Sequence, residues 1–394
     1  MKKIAAFFAA LAIGTACAHA VPALRTPQQF TQPDGSVITL TLQGDEFGHW
    51  WTTPDGRAVK RNANGMFVPC STFELAAIQQ RRLEAQRKRW PSQQSSTNAP
   101  SRRAGTSKHP VGEQRVLVIL AEFSDLSFII DNPQETFKRH LNEEGYTASG
   151  GFGSARDYFI AQSDGKFTPK FDVWGPYKAP NPMKFYGGNN EEGHDKNAAQ
   201  LIADVLKLAN PDINFRDYDT DNDGVVDFCY VIYAGYGEAH QADPNTIWPH
   251  QWNLASGTGA AMKLDGVQVD EYACSCELYG NSGSKIDGIG TICHEFGHCL
   301  GLPDFYDTGD KGNFGMNTWS IMDYGCYNEG GYTPCGYTAY EKEFLGWMDI
   351  ETLNEEQAVT LAPTADGGKA YRIENSSNTN EYLLVENIQQ KGRN

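Results

Sequence analysis

Apolar residues fall into contrasting patterns along the chain. Arg115-Val116-Leu117-Val118-Ile119-Leu120 is a nearly continuous apolar run that ends at Glu122 and Phe123, and Phe228-Cys229-Tyr230-Val231-Ile232-Tyr233 is a second. Runs of this length without a polar face predict strands covered on both sides. Gly153 to Ser163, Asn197 to Leu208 and residues 290–300 instead carry apolar groups at helical spacing. Strands and helices in this succession predict an α/β or α+β domain, a twisted sheet backed by helices with a cleft below it. Residues 37–68 alternate apolar and polar positions around the turn signals Asp55-Gly56 and Asn64-Gly65, which predicts a small β-rich module. Residues 73–90, rich in Leu, Ala, Gln, Glu and Arg, predict a helix. Tyr371 to Glu374 and Tyr382 to Glu386 predict two strands of a β-rich unit that begins after residue 350, and the chain stops soon after the second, as a fragment would.

These breaks divide the chain into a leader (1–20), an N-terminal module (21–90), a linker (91–114), a main domain (115–350) and the start of a C-terminal region (351–394). In the leader, Lys2 and Lys3 precede the apolar stretch Ile4 to Ile13, and Ala18-His19-Ala20 forms a small-x-small cleavage pattern before Val21. The apolar stretch is short for a membrane span, so export without stable membrane insertion is expected, to the periplasm or the cell exterior, with association at a bacterial surface compatible with both. Arg81, Arg82, Arg87, Lys88, Arg89, Arg102, Arg103 and Lys108 gather at the linker. A phosphate-binding arm is one reading of them. Their mixture with Gln, Ser and Pro, without interleaved aromatics, favours an exposed, cleavable connection.

Composition narrows the function classes. The 394 residues are 40% hydrophobic and 12% aromatic with a formal charge of −16, which describes a folded acidic protein with a sizeable core and disfavours nucleic acid as a partner. Without Cys17 of the leader the chain keeps Cys70, Cys229, Cys274, Cys276, Cys293, Cys299, Cys326 and Cys335, an even set that permits disulfides in an exported protein. Cys293 and Cys299 are placed to tether the 290–300 helix to the loops holding Cys274, Cys276, Cys326 or Cys335. Metal binding by Cys274-Ser275-Cys276 competes with that use, although its one-residue spacing is tighter than a structural-zinc hairpin.

The candidate chemistry is concentrated at His294-Glu295-Phe296-Gly297-His298. On a helix, residues four apart share a face, so both imidazoles can reach one ion while Glu295 points to a water beside it. Gly301 tolerates the positive φ that ends a helix and Pro303 opposes its continuation, so the chain turns and Asp304 can return as an oxygen ligand. Two histidines and one carboxylate leave a fourth position open, as catalytic zinc sites do. Asp307 competes with Asp304, although local turn bonding suits it better.

The run His294-Glu295-x-x-His298-x-x-Gly301-x-x-Asp304 resembles the extended zinc signature of the metzincin metallopeptidases, with aspartate in place of their commoner third histidine. Ser320-Ile321-Met322-Asp323-Tyr324 resembles their Met-turn. More closely, Gly301 to Asp307, Ile247-Trp248-Pro249-His250 and Tyr340 to Trp347 resemble the immune inhibitor A family of secreted bacterial metallopeptidases. The resemblance implies a metzincin-like domain with a mixed sheet, backing helices and an active-site helix. It also implies an apolar floor at Met322, a metal-side or oxyanion-side hydroxyl at Tyr324, an N-terminal propeptide, and protein or peptide substrates. An accessory domain that stays attached is the alternative for the N-terminal module. If it is a propeptide, it covers the cleft until the linker is cut, and Cys70 is a candidate latency ligand to the zinc. His250, between Trp248 and Trp252, is more simply a satisfied loop histidine than a substrate contact.

A second metal is expected at Asp219-x-Asp221-x-Asp223-Gly224-x-x-Asp227, where hard oxygen donors around a glycine turn suit calcium. An acidic surface loop closed by Asx turns is the alternative, and Tyr230 stands where a calcium hand would place its bidentate glutamate. The expected function is therefore a secreted zinc endopeptidase made as a zymogen, with Glu295 as base and acid. Two competitors share parts of this pattern. A zinc amidase or deacetylase would need a closed pocket instead of an extended groove, and a binding or adhesion module on a former peptidase fold would have no use for Glu295.

Overall fold

Antiparallel pairing follows directly from the alternating stretch near the N-terminus. β1 (Gln28–Thr31), β2 (Val37–Asp45), β3 (Gly48–Thr52), β4 (Ala58–Arg61) and β5 (Phe67–Pro69) form a sheet in sequence order, followed by α1 (Thr72–Arg89). The computed structural model describes residues 20–89, 110–148, 150–190, 193–308 and 312–389. The expected leader, apart from Ala20, and the 91–109 part of the expected linker lie outside the described residues. The core of this sheet is small, with Leu40, Val59 and Phe67 buried against Phe30, Ile38 and Trp51. A cluster of that size stabilises a module weakly, and a buried ion pair adds to it. Arg82 on α1 holds Asp45 at the end of β2 through Nε at 2.8 Å and Nη2 at 2.6 Å. This bidentate geometry offsets part of the cost of removing both charges from water.

The main domain is built on the two apolar runs. In chain order its elements are β6 (Gly112–Glu122), α2 (Pro133–Asn142), α3 (Ala155–Gln162), β7 (Phe167–Lys178), α4 (Met183–Gly187), α5 (Ala198–Ala209) and β8 (Cys229–Tyr236). β9 (His250–Asn253), α6 (Leu254–Thr258), β10 (Met262–Leu264), β11 (Val267–Val269), β12 (Glu271–Leu278), α7 (Ile289–Cys299) and α8 (Ala339–Phe344) follow. The central sheet has the order β7-β6-β8-β12-β9, with parallel neighbours throughout except the antiparallel edge pair β12-β9. Alternation along β6 sorts its side chains: Val116, Val118 and Leu120 join the core shared with α2, α3 and α7, while Leu117, Ile119 and Ala121 join the one shared with α5. The mixed α/β class expected from the sequence is what the chain adopts.

The C-terminal strands β13 (Glu351–Thr352), β14 (Tyr371–Asn375) and β15 (Asn378–Val385) form a separate small sheet. Glu386, just past β15, accepts the amide of Ala339 at 3.0 Å and so ties this sheet to the start of α8.

The expected disulfides are absent. All eight cysteines among the described residues are free thiols, and all except Cys70 are buried. The central sheet separates them. Cys229, Cys274 and Cys276 pack on the α5 side, whereas Cys293, Cys299, Cys326 and Cys335 pack on the α7 side, where they serve as small apolar core residues. A bridge from Cys274 or Cys276 to the α7 thiols would have to cross the sheet.

Candidate metal centre

α7 lies against the sheet with its chemistry fully enclosed: His294 and Glu295 are 0% exposed and His298 is 1% exposed. The helix ends as the glycine predicted. Gly301 has φ of 98°, its N–H bonds His298 O at 2.9 Å, and the Leu302 N–H reaches back to Gly297 O at 3.1 Å. This paired closure reverses the chain and brings Asp304 under the helix. Phe305 N then bonds Met322 O at 2.8 Å, which fixes the returning strand against the turn beneath the helix.

Three donor atoms converge there. His294 Nε2 and His298 Nε2 are 3.0 Å apart, and Asp304 Oδ1 lies 3.2 Å from the first and 3.3 Å from the second. The opposite ring nitrogens face backbone carbonyls, Nδ1 of His294 meeting Ile321 O at 2.7 Å and Nδ1 of His298 meeting Leu302 O at 2.8 Å. A carbonyl only accepts, so each neutral ring keeps its proton on Nδ1 and turns an unprotonated Nε2 toward Asp304. Three donor atoms this close to one another suit a cation held between them. A tetrahedral zinc with ligands at 2.0–2.1 Å has ligand-to-ligand edges of about 3.3–3.4 Å, close to the separations found. The residues present therefore fit zinc, with one position left open.

The turn at Met322 is set by packing. A Cβ added to Gly297 would stand 2.6 Å from Met322 Sδ and 3.1 Å from Tyr337 Oη. Met322 therefore presses against the helix between the two histidines, at the one residue lacking a side chain. Asp307 is not brought to the donor atoms; it accepts the amide of Asn313 at 2.9 Å, the local turn bond expected of it. His250 bonds Trp248 O at 2.7 Å and Tyr272 Oη at 2.9 Å, as a satisfied loop histidine does.

Residues before β1 occupy the cleft. Ala20 to Ala23 are buried, and Val21 N–H donates to Glu295 Oε1 at 2.8 Å. Trp248 Nε1 donates to Val21 O at 2.9 Å, Tyr327 Oη to Pro22 O at 2.7 Å and Tyr306 Oη to Ala20 O at 3.2 Å. Leu24 N donates to Ala239 O at 2.8 Å, and Gln241 Nε2 to Thr26 O at 2.7 Å. The segment is thus bound through its main chain from both sides. Trp248, Tyr306, Tyr327 and Val21 were not singled out as site residues from the sequence. The Ile-Trp-Pro-His run was the sole pointer to Trp248.

Burial drives the Glu295 carboxyl well above its ordinary range; the Val21 N–H opposes this, and the neighbouring Asp304 and Glu46 add to it. Tyr324 lies under Arg25, whose guanidinium is 4.4 Å from the ring centroid, and both line a cavity of about 310 Å³ with Tyr306 and Asp307. Burial also raises its phenol. Cys70 is placed past β5 beside Lys60 and Glu74, where burial and the Glu74 charge raise its thiol. The group that meets Glu295 is the Val21 amide.

In the acidic loop, Asp219, Asp221 and Asp223 bring carboxylate oxygens within 4.8 Å of one another. Asp227 turns away from that trio to accept the amide and hydroxyl of Thr220. Asp219 and Asp221 also accept the Asp223 amide, and Asp223 accepts that of Val225, so Asx-type turns close the loop.

Residues 104–348 match the model of the immune inhibitor A peptidase M6 catalytic domain. The pre-pro-metalloprotease PrtV of Vibrio cholerae is 29% identical over 316 residues, which cover 66% of this chain and 34% of that protein. Immune inhibitor A of Bacillus thuringiensis subsp. alesti is 26% identical over 294 residues, covering 63% of this chain and 42% of the relative. The matches thus span between about a third and two-fifths of the relatives' length.

The Gly297 contact gives a test with a decisive sign. Helix propensity alone makes Gly297→Ala stabilising by about 1 kcal/mol, whereas overpacking against Met322 costs about 1–3 kcal/mol. We expect urea denaturation to show net destabilisation, with weaker zinc binding in a competitive titration. A more stable variant with unchanged affinity would mean that Met322 does not brace the helix.

Proposed function

The chain belongs to the immune inhibitor A peptidase M6 family, and on that premise we propose that it is an exported zinc-dependent endopeptidase, held latent by its own N-terminal segment. The observation that carries this reading is the hydrogen bond from the Val21 nitrogen, the chain's first once the leader is removed, to Glu295 Oε1, made by a main chain lying beside the donor triad. A cleft that grips successive backbone groups of an extended chain suits a polypeptide substrate and disfavours the closed pocket of a small-amide hydrolase. The intact Glu295 disfavours a purely adhesive role.

His294, His298 and Asp304 would hold the zinc. When bound, the ion supplies Lewis acidity, polarising a carbonyl and lowering the pKa of water. Glu295 Oε1 takes the proton released during attack on the peptide carbonyl and returns it to the leaving nitrogen. Trp248 and Tyr327 orient the main chain by donating to its carbonyls, as they do to Val21 and Pro22. Tyr324, held under Arg25 while the segment is docked, would be free to approach an oxyanion once Arg25 leaves with it.

Latency has the same geometric basis. The buried segment takes up the Glu295 oxygen and the Trp248 and Tyr327 donors that a substrate would use, so substrate and segment compete. The N-terminal module holds the segment in place, since Ala23 N bonds Gly44 O at 2.9 Å on β2. Cutting the linker region 91–114 and losing the module would then release the cleft. Calcium on Asp219, Asp221 and Asp223 would brace the loop that leads into β8, supported by the closeness of their carboxylates.

Three outcomes follow. Glu295→Gln should retain zinc and fold while hydrolysis of an unfolded protein substrate falls by about 10²–10⁴-fold; wild-type turnover by the zinc-loaded variant would reject Glu295 as the base. Deleting residues 21–26 should raise the turnover of the otherwise uncut chain, and unchanged turnover would dismiss the segment as the inhibitor. With zinc kept saturated, calcium at a hundredfold excess over its Kd should stabilise the fold by about 2.7 kcal/mol. A melting curve that ignores calcium would leave the loop closed by its Asx turns alone.

A further inference from the structure

Away from the donor triad, three ligand-type side chains meet in the interior. His240 on the turn after β8, Cys276 on β12 and Asp287 just before α7 have donor atoms that all lie within 4.8 Å of one another, and each residue is buried. Cys276 Sγ is 3.8 Å from His240 Nδ1 and 3.9 Å from Asp287 Oδ2. We propose that His240, Cys276 and Asp287 form a second metal site, selective for a borderline-soft divalent ion of the zinc type.

The separations fit such an ion better than they fit hydrogen bonds. A tetrahedral zinc with Zn–S of 2.3 Å and Zn–N or Zn–O near 2.0 Å places sulfur about 3.6 Å from nitrogen or oxygen. The two distances found exceed this by two or three tenths of an ångström, a displacement that small side-chain rotations remove. The same distances are at the long end for a thiol, whose proton goes to Leu278 O at 3.4 Å and leaves the sulfur lone pairs for His240 and Asp287 to share with an ion. The His240 ring is held by Tyr279 and Tyr327 at centroid distances of 5.5 and 5.7 Å, with its Nδ1 toward Cys276.

The donor set can also balance the charge of a divalent ion. The thiol proton leaves to solvent on binding, and thiolate plus carboxylate then neutralise the two positive charges. The donor set of one sulfur, one nitrogen and one oxygen disfavours calcium and magnesium, which take oxygen ligands.

The three ligands belong to different parts of the cleft. The turn that carries His240 also supplies Ala239 O and Gln241 Nε2 to the N-terminal segment, and Tyr327, which packs on His240, donates to Pro22 O. Asp287 accepts the Gly288 amide at the start of the helix that carries His294. A metal here would fasten this cleft wall to β12 and to the foot of α7.

The test uses the full chain loaded with zinc, or with cobalt(II) as a spectroscopic substitute, in calcium-containing buffer. Elemental analysis should give two zinc ions per chain, and the cobalt form should show a thiolate-to-cobalt charge-transfer band in the near ultraviolet. The band should persist in His294→Ala, which removes a ligand of the other centre, and in Cys274→Ala, and be lost in Cys276→Ala. One zinc per wild-type chain with no charge-transfer band would overturn the proposal without touching the His294 centre. A band that survives in Cys276→Ala would overturn it too. Should Cys276→Ala fail to fold, the wild-type stoichiometry and spectrum decide alone.

Discussion

Three lone pairs, from His294 Nε2, His298 Nε2 and Asp304 Oδ1, are held within 3.3 Å of one another in a buried shell, and much of the surrounding structure serves to keep them there. Each donor is fixed from behind. The carbonyls of Ile321 and Leu302 orient the rings, Gly301 reverses the chain, and Met322 seats against Gly297. The holding groups lie in the helix, the reversal after it and the turn beneath it. The metal site is therefore a packing arrangement of the whole domain more than a property of five consecutive residues.

The cleft beside this centre recognises main chain, and the protein presents it with its own. Val21 and Pro22 engage Glu295, Trp248 and Tyr327 through backbone atoms, so any extended peptide offers the same groups. Side chains then anchor the segment and its module. Arg25 lies over Tyr324, His49 stacks on Trp248 with ring centroids 5.0 Å apart, and Tyr306 reaches the buried Asp45–Arg82 pair. Before the leader is removed, Tyr306 bonds both Ala20 O and Asp45; afterwards its bond to Asp45 still links it to the module's own ion pair. Burial lowers the proton affinity of His49, but its contact with Glu238 more than offsets this and leaves it raised. Protonated His49 therefore strengthens the docked state, an effect complete below its ordinary pKa and lost as pH rises through the raised one.

The central sheet also explains why Cys274 and Cys276 form no bridge to the thiols of α7. Strand alternation sends Cys274 and Cys276 to the face opposite α7, out of reach of Cys293 and Cys299. On that face they meet histidines instead, Cys274 lying 3.5 Å from His250 Nδ1 and Cys276 lying 3.8 Å from His240 Nδ1. Among the described residues, only the second pair has a carboxylate close enough to complete a ligand set.

The sequence by itself determined the elements whose signals are local. The apolar runs became β6 and β8, the helical spacings became α3, α5 and α7, and His294, Glu295, His298, Gly301 and Asp304 announced a metal helix with a turn after it. Spacing along one helix and one reversal is short-range geometry, which is why it could be read directly. β7 and β12 were not, because Pro169 and Pro176 interrupt the first and Ala273-Cys274-Ser275-Cys276 gives the second no β-branched residue. The disulfide expectation failed for a related reason, since an even count of cysteines says nothing about which side of a sheet each will face. Only the tertiary structure decided that Val21 would meet Glu295 across 274 positions, or that His240, Cys276 and Asp287 would share one interior point. Such contacts depend on where strands end and how the sheet twists, and no local pattern of residues encodes them.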